Sequence, residues 1–222
     1  MTFLELAKRL RQECGIPGSG PTSLSAQTGE LKRVVDWISA AYIDIQSTHT
    51  TWDFLRKEFS FSCVNGTDNY GVTQHGLTDL AEWDVDTVRC YLTASDEQFL
   101  EFYPWEQFRD TWKMGTNRTR TGRPICFSVK PDNSLTFDCV PDAAYTISGE
   151  YYSTPVEMGT DAQSPVFPAQ FHLAIVFRAM MYAGAYLAEP DKYSFGDSEF
   201  RRLIGRMEMS QLPPVLSGEP LA

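Results

Sequence analysis

The spacing of apolar residues changes twice along the chain, and this change limits the fold more than any other feature of the sequence. In residues 1–55 apolar side chains recur every three or four positions, which predicts amphipathic helices at 2–14 and 30–48. In residues 56–160 the spacing is mostly two, as is typical of strands. After residue 160 the helical spacing returns. We therefore expect an α+β protein, in which a helical bundle carries an inserted antiparallel β domain of sandwich or barrel type.

This pattern divides the 222 residues into four segments. The expected segments are the N-terminal helical part of the core at 1–55, the β-rich insert at 56–160, the C-terminal helical part of the core at 161–209, and an extended tail at 210–222. Strands are predicted in the insert at 57–64, 85–93, 98–103, 125–130, 134–139 and 144–152, with one short helix at 104–112.

Residues 171–187 are almost entirely apolar and are interrupted only by His172, Arg178 and Gly184. An arginine in the middle of the segment argues against a membrane span. A helix that is apolar on all sides must be buried, and in a chain of this size neighbouring subunits are an obvious cover. The subunit-interface residues expected on this helix are Phe171, Ile175, Arg178, Tyr182 and Tyr186.

The charge is strongly negative and unevenly placed. The chain has 19 Lys and Arg residues against 29 Asp and Glu residues, a net charge of −10. Residues 61–160 carry fifteen of these acids and only seven of the bases. Binding to nucleic acid requires clustered Lys and Arg, so the surface is not expected to grip DNA. A protein that stands close to DNA without binding it remains compatible with this charge.

A basic loop follows the most acidic part of the insert. Residues 113–123 contain four bases and no acid. The members of this basic loop are Lys113, Arg118, Arg120 and Arg123. One interpretation is a solvated loop beside a solvated face. The other is a basic surface for contact between subunits, where it would meet the acidic stretch at 79–110 of another copy.

No arrangement of residues predicts catalysis, a cofactor or a metal. The three histidines are scattered, and the five cysteines are odd in number and lack zinc-binding spacing. An alternative from a different class is a carbohydrate-binding or hydrolytic β module, with Trp83 and Trp105 beside the paired acids at 84/86 and 96/97. The simpler interpretation of the tryptophans is that they anchor the junction of helix and sheet.

Two segments lack the composition to fold alone. Residues 15–29 are rich in Gly, Pro, Ser and Thr, and residues 210–222 contain three prolines and no Lys or Arg. We expect both to be held by a partner, with a neighbouring chain as the simplest candidate. The residues expected to bind a neighbouring chain through this C-terminal segment are Leu212, Pro213, Pro214, Val215 and Leu216.

The order of short motifs at the two ends resembles the head-to-tail adaptor (connector) proteins of tailed bacteriophages. The N-terminal motifs are Leu4-Glu5-Leu6 with Leu10, Val34-Val35-Asp36-Trp37-Ile38 with Ala41-Tyr42, and Trp52-Asp53-Phe54-Leu55. The C-terminal motifs are Pro168 with Phe171-His172, Arg178-Ala179, Tyr182-Ala183, Glu189-Pro190-Asp191-Lys192-Tyr193 and Phe200-Arg201-Arg202-Leu203. The insert is less diagnostic than these ends.

This resemblance implies a structural protein of the virion neck without enzymatic activity, made in the host cytoplasm. Such adaptors form homo-oligomeric rings, commonly dodecamers, beneath the portal protein. They extend the DNA channel, through which DNA passes without specific binding, and they provide the platform for a tail or nozzle/terminator protein. The resemblance also implies that the C-terminal segment, with the five residues at 212–216, reaches the portal. It further implies that the basic loop contacts a neighbouring subunit or a tail protein. A related alternative is a tail-completion or terminator protein. No membrane partner is expected.

Overall fold

The computed structural model describes residues 1–213, except for the side chains of Gln74 and His75. Over this range the chain folds into two units. Unit 1 contains Met1–Leu55 and the part of the chain from Pro155 onward. Unit 2 is the intervening segment, Arg56–Thr154.

Unit 1 consists of four helices. They are α1 (Phe3–Glu13), α2 (Gly29–Ser47), α4 (His172–Tyr186) and α5 (Pro190–Gln211), and a short helix, α3 (Trp105–Trp112), belongs to unit 2. Short 3-10 turns occur at Asp53–Leu55, Val72–His75, Gly115–Thr119 and Ala169–Phe171. Each of the longer helices predicted from the apolar spacing is present, with its ends shifted by a residue or two.

Unit 2 contains the strands. They are β1 (Arg56–Ser62), β2 (Asn69–Tyr70), β3 (Leu80–Tyr91), β4 (Gln98–Phe99), β5 (Glu101–Phe102), β6 (Thr121–Gly122), β7 (Cys126–Val129), β8 (Leu135–Phe137), β9 (Val140–Pro141) and β10 (Thr146–Ser153). They form a sheet of order β1-β10-β3-β4, a second sheet of order β2-β8-β7-β5 and a small pair, β6-β9.

The local sequence explains where the first helix begins. Thr2 and Glu5 form a capping box: the Thr2 hydroxyl accepts from the Glu5 amide at 3.3 Å, and the Glu5 carboxylate accepts from the Thr2 amide at 2.9 Å. These bonds satisfy two amides that a helix start otherwise leaves free. The fully buried Leu6 and Leu10 then direct one face of α1 into the core.

Helix α4 lies at the centre of unit 1 and packs against α1, α2 and α5. Ile175, Ala179 and Ala183 are completely buried within the chain itself. This corrects the expectation that neighbouring subunits are needed to cover the helix. The fit against α5 is close, because a Cβ added to Gly184 would lie 2.8 Å from the Tyr193 amide nitrogen. Only glycine permits that approach.

Two polar side chains of α2 hold the returning segment that leads to α4. Gln46, buried despite its amide, accepts from Val156 N at 3.0 Å and donates to Val156 O at 3.1 Å. The Tyr42 hydroxyl accepts from Val166 N at 3.1 Å. Because its amide is paired at both atoms, Gln46 occupies a core position at little cost in desolvation.

The Gly-rich loop at 15–29 is held by its own chain, which corrects the expectation that a neighbour orders it. Arg11 donates to Ile16 O at 2.5 Å, and Lys192 donates to Cys14 O at 2.6 Å. Leu24 N donates to the Asp161 carboxylate at 2.8 Å. These contacts join the loop to α1, to α5 and to the segment before α4.

The two four-stranded sheets of unit 2 share one core. Both sheets contribute fully buried side chains to it. The first sheet provides Val88, Cys90 and Ile147, and the second provides Phe127 and Phe137. Helix α3 packs on β7, with Phe108 completely buried. The α+β class is confirmed. The described strands form no closed barrel.

Two features of unit 2 differ from the predicted antiparallel arrangement. The β5–β7 and β6–β9 pairs are parallel. The strand predicted at 98–103 is divided, because Leu100 N bonds to Val88 O in the first sheet and Glu101 N bonds to Ile125 O in the second. The chain thus passes from one sheet to the other within this segment, which apolar spacing alone does not reveal.

His172, at the start of α4, should make the stability of the protein depend on pH. Its ring is buried, its Nε2 lies 3.1 Å from Phe167 O, and burial lowers its pKa below the ordinary 6.5. Protonation therefore favours the unfolded chain. The stabilisation is fully present above pH 6.5 and is lost as the pH falls through the lower pKa of the folded state. The expected slope is at most about 1.4 kcal/mol per pH unit.

Urea unfolding at several pH values between 5 and 8 measures this slope. His172→Gln should flatten it, since glutamine has no titrating group. His49→Gln is the matched control in the same unit and should leave the contribution of His172 in place. An unchanged slope in His172→Gln would contradict the assignment.

Candidate assembly surfaces

The five residues predicted as a subunit interface on α4 fall into two groups. Phe171 and Ile175 are buried in the core of their own chain, so they offer no surface to a neighbour. Arg178 and Tyr182 are partly exposed, and Tyr186 is 54% exposed. The accessible part of the predicted surface is therefore the side of α4 that adjoins α2.

Arg178 connects α4 to both neighbouring helices. Its Nε donates to the Asp44 carboxylate on α2 at 2.6 Å. Its guanidinium carbon lies 5.2 Å from the centre of the Tyr182 ring and 5.4 Å from that of Phe200 on α5. The arginine that interrupts the apolar helix is thus paired and stacked within the chain, which explains why it is tolerated there.

A shallow groove of about 570 Å³ runs along the outer face of α2. Its floor contains small side chains, and three carboxylates lie along it. The residues that line it are Asp36, Ser39, Ala40, Ile43, Asp44, Ser47, Glu157 and Tyr182. We call this surface the α2 groove. Small residues on an exposed helix face allow another helix to approach closely.

Next to the α2 groove, the exposed ring of Tyr186 contacts Trp37 and Arg33. The Tyr186 ring centre lies 5.8 Å from that of Trp37 and 4.3 Å from the guanidinium carbon of Arg33. Tyr, Trp and Arg are the residue types most enriched where protein interfaces bind most tightly. This cluster gives the accessible side of α4 the composition of a contact surface.

Most of the predicted basic loop is used inside unit 2. Lys113 donates to the Asp68 carboxylate and to Phe137 O, and Arg123 donates to Asp96 and to Cys90 O. Arg120 lies 3.7 Å from the buried carboxylate of Asp138. These three side chains are therefore structural contacts, which corrects the interpretation of the whole loop as a free basic surface.

Arg118 differs from the other three bases. It is exposed, donates only to Lys113 O at 3.2 Å, and has no carboxylate partner among the described residues. It is accompanied on the same turn by Met114, which is 57% exposed. Of the four predicted contact residues, Arg118 is the one whose charge is directed to solvent.

The first sheet of unit 2 carries an acidic row across three strands. Glu58 is opposite Glu150, and Glu150 is opposite Asp84. Like charges in directly opposite positions repel each other. Arg56 reduces this repulsion by pairing with Glu150 and, at 2.6 Å, with Asp84. The row keeps a net negative charge, which makes it a poor surface for a phosphate backbone.

The described residues contain no group of metal-ligating side chains. All five cysteines are free and buried. Burial raises the pKa of Cys14 and Cys63 to about 11 and that of Cys126 and Cys139 to about 12. A thiol acts as a nucleophile only as the thiolate, so these groups are poor nucleophiles at neutral pH.

The residues proposed for a carbohydrate site do not form one. Trp83 is buried in the core and donates from Nε1 to Asn133 O at 3.0 Å. Trp105 is stacked against Lys130 of its own chain. The backbone amide of Thr93 lowers the pKa of Asp96, whereas a general acid requires a raised pKa.

The tail begins where α5 ends. Leu212 N bonds to Glu208 O at 3.2 Å and its side chain packs on the core of unit 1, whereas Pro213 is exposed. Pro214, Val215 and Leu216, the other predicted tail contacts, lie outside the described residues.

A comparison with protein-family models gives the identification. The model described as SU10 adaptor protein matches residues 1–216. The chain belongs to the SU10 adaptor protein family. The resemblance to phage adaptors is thereby confirmed, and it extends over the insert as well as the ends. No curated protein matches the chain significantly.

Membership of the SU10 adaptor family makes this chain a phage adaptor, a structural component of the virion that contacts other head and tail proteins. Among its described residues, no helix has the length and hydropathy needed to span a membrane. Because an adaptor acts by contact with other virion proteins, the exposed surfaces of unit 1 and the acidic row of unit 2 are its candidate contact surfaces.

Sequence reasoning missed the α2 groove. In the helical repeat of α2, Asp36, Asp44 and Gln46 all fall outside the apolar stripe, which predicts that they are exposed. Gln46 is nevertheless buried, and only the two carboxylates lie in the groove. A repeat of small residues at positions 39, 40 and 47 is the one sequence signal that marks this face.

The two roles within the basic loop predict different effects of substitution. Lys113→Met should destabilise the protein by about 1–3 kcal/mol, because it leaves Asp68 and Phe137 O without their shared donor. Arg118→Ala should change stability by no more than about 0.5 kcal/mol. Urea unfolding of the two variants measures both values. Equal effects would contradict the division of the loop.

The buried cysteines predict that the native protein resists alkylation. At pH 7.5 iodoacetamide should modify none of the five native thiols within minutes, and all five in 8 M urea at about the same rate. At intermediate urea concentrations, peptide mass spectrometry also compares the unfolding of the two units. Labelling of Cys14 reports the unfolding of unit 1, and labelling of the other four cysteines reports that of unit 2. Rapid labelling of any native cysteine would contradict the assignment.

Proposed function

We propose that this chain forms a homo-oligomeric ring beneath the portal of a tailed phage, extends the DNA channel there and provides the platform on which the tail is built. The observation that carries this proposal is the match to the SU10 adaptor family over residues 1–216. The protein then acts by geometry and charge rather than by catalysis. From the resemblance to phage adaptors we expect the ring to be a dodecamer.

The exposed surface of unit 1 supports assembly into an oligomer. Phe195 is 51% exposed, Tyr186 is 54% exposed and Met209 is 88% exposed. Large apolar side chains exposed on one helical unit provide contact surfaces for burial in a complex. A ring also needs two different contact surfaces on each subunit, because each copy touches two neighbours.

The charge of unit 2 supports a passive conduit for DNA. The row formed by Glu58, Glu150 and Asp84 lies on one sheet face, and three of the four bases in the basic loop are paired internally. A wall that binds phosphates would slow the passage of DNA, since each Lys or Arg contact must be broken as the duplex moves. A wall of net negative charge avoids those contacts.

The tail is proposed as the contact with the portal. The sequence predicts a tail from residue 210, but residues 210 and 211 belong to α5. Residues 212–222 contain three prolines and no Lys or Arg, so this segment suits an extended mode of binding. Leu212 and Pro213 mark its start at the end of α5. In this arrangement the helical unit forms the ring, and the tail joins the ring to the portal.

Truncation of the tail tests the proposal. The full-length chain should form a ring when mixed with the portal protein, visible by negative-stain electron microscopy and by sedimentation velocity. A chain that ends at Gln211 should keep its fold and lose at least about tenfold in portal affinity. Removal of only the last two residues, Leu221 and Ala222, is the control and should bind normally.

Three results would overturn parts of this proposal. Failure of the full-length chain to bind portal protein would overturn the adaptor position itself. Full portal binding by the chain that ends at Gln211 would overturn the role of the tail and favour the alternative of a tail-completion or terminator protein. An enlarged complex that contains a single copy of the chain would overturn the ring.

A further inference from the structure

Helix α5 has an exposed stripe that none of the residues described in the structure covers. Residues 195, 199, 202, 206 and 209 follow one another at intervals of four and three, so they lie on one face over about 21 Å. Phe195 and Met209 are at the two ends of this α5 stripe and are among the most exposed apolar residues of unit 1. Arg202 and Arg206 lie between them.

The exposed face of α2 has the same spacing and comparable length. Residues 36, 40, 43 and 47 of the α2 groove also follow at intervals of four and three, over about 17 Å. Side chains repeated at these intervals form the ridges and grooves along which two helices pack. Ser39, Ala40 and Ser47 leave room along the α2 groove for larger side chains, and the α5 stripe carries Phe195 and Met209.

The charges of the two surfaces are complementary. The α2 groove contains Asp36, Asp44 and Glu157, and the α5 stripe contains Arg202 and Arg206. Asp36, Asp44 and Arg202 each have an ion-pair partner within the chain. Glu157 and Arg206 are exposed and have no such partner among residues 1–213. The α5 stripe also contains Glu199, which is the ion-pair partner of Arg202. Each surface therefore offers one charge that is unpaired among the described residues, and the two charges are opposite in sign.

One chain cannot bring its own two surfaces together. The α5 stripe adjoins α4 at Phe177, whose ring centre lies 5.9 Å from that of Phe195. The α2 groove adjoins α4 at Tyr182. Five residues along a helix correspond to a rotation of about 140°, so the two surfaces lie on different sides of α4. Different surfaces on one subunit are what a head-to-tail contact between copies requires.

We propose that the α5 stripe of one copy packs into the α2 groove of a second copy, with Arg206 paired with Glu157 across the interface. Repetition of this heterologous contact joins each subunit to two neighbours and closes a ring where the rotation allows it. The proposal rests on the ring suggested under the proposed function, and it names the surfaces and the ion pair that build it.

Charge reversal of both partners tests the pair. Glu157→Arg and Arg206→Glu should each weaken ring assembly on portal protein by about tenfold or more, because each places like charges opposite one another. The variant that carries both substitutions restores opposite charges and should recover most of the assembly. Arg201→Glu is the matched control: Arg201 is on the same helix, is 76% exposed and lies outside the α5 stripe, so its reversal should have little effect.

Two further variants test the surfaces without altering that pair. Ala40→Trp fills the α2 groove, and Met209→Asp places a charge at the end of the α5 stripe. Both positions are exposed, so circular dichroism and the urea midpoint should remain close to those of the unaltered protein. Both variants should still bind the portal protein through the tail, yet fail to form closed rings in electron micrographs.

The outcomes separate this inference from the function on which it rests. If the unaltered chain forms no ring, both are overturned. If it forms rings and the single reversals, Ala40→Trp and Met209→Asp all assemble normally, the adaptor function stands and this interface is overturned. If the single reversals fail and the double reversal fails equally, the pairing of Glu157 with Arg206 is overturned.

Discussion

Burial of helix α4 is the constraint on which the organisation of unit 1 depends. Full burial of one aliphatic side chain stabilises a fold by about 1.5–3 kcal/mol, and α4 contains several such residues in succession, among them Ile175 and Val176. Helices α1, α2 and α5 surround it and remove it from water. Each of these covering helices uses one face for α4 and leaves the other outside. The surfaces available to partner proteins therefore include the outer faces of α2 and α5, together with the one side of α4 that adjoins α2. Arg178, paired with Asp44, lies on that side.

In unit 2 the comparable constraint is electrostatic. Carboxylates occupy directly opposite positions on neighbouring strands of the first sheet, and they repel each other. The few basic residues of unit 2 reduce this repulsion. Arg56 pairs with Asp84 and Glu150, Lys57 with Asp79, and Lys113 with Asp68. A basic residue that stabilises the fold in this way is not free to bind a partner. This explains why a loop with four bases in eleven residues exposes mainly the charge of Arg118. A surface that exposes few Lys and Arg charges suits a protein near which DNA must move without being bound.

The candidate surfaces were only partly predictable from the chain. Tyr182 and Tyr186 were predicted to be contact residues on α4, and both are accessible, whereas Phe171 and Ile175 are internal. Apolar spacing identifies the residues that leave water but does not distinguish burial against the same chain from burial against another copy. Gln46 shows the converse: its polarity suggested the surface, yet hydrogen bonds to both backbone atoms of Val156 satisfy its amide in the core. Such pairing depends on a segment 110 residues away in the sequence.

The sequence by itself determined the α+β class, the positions of the long helices and main strands, and membership of the adaptor family. These follow from local periodicity and from the order of motifs, both of which are written along the chain. Only the tertiary structure decided that α4 is covered by its own chain, that the segment at 98–103 is shared between two sheets, and that three bases of the basic loop are internal. Those outcomes depend on which distant residues meet in space, and a one-dimensional pattern contains no information about that choice of partners.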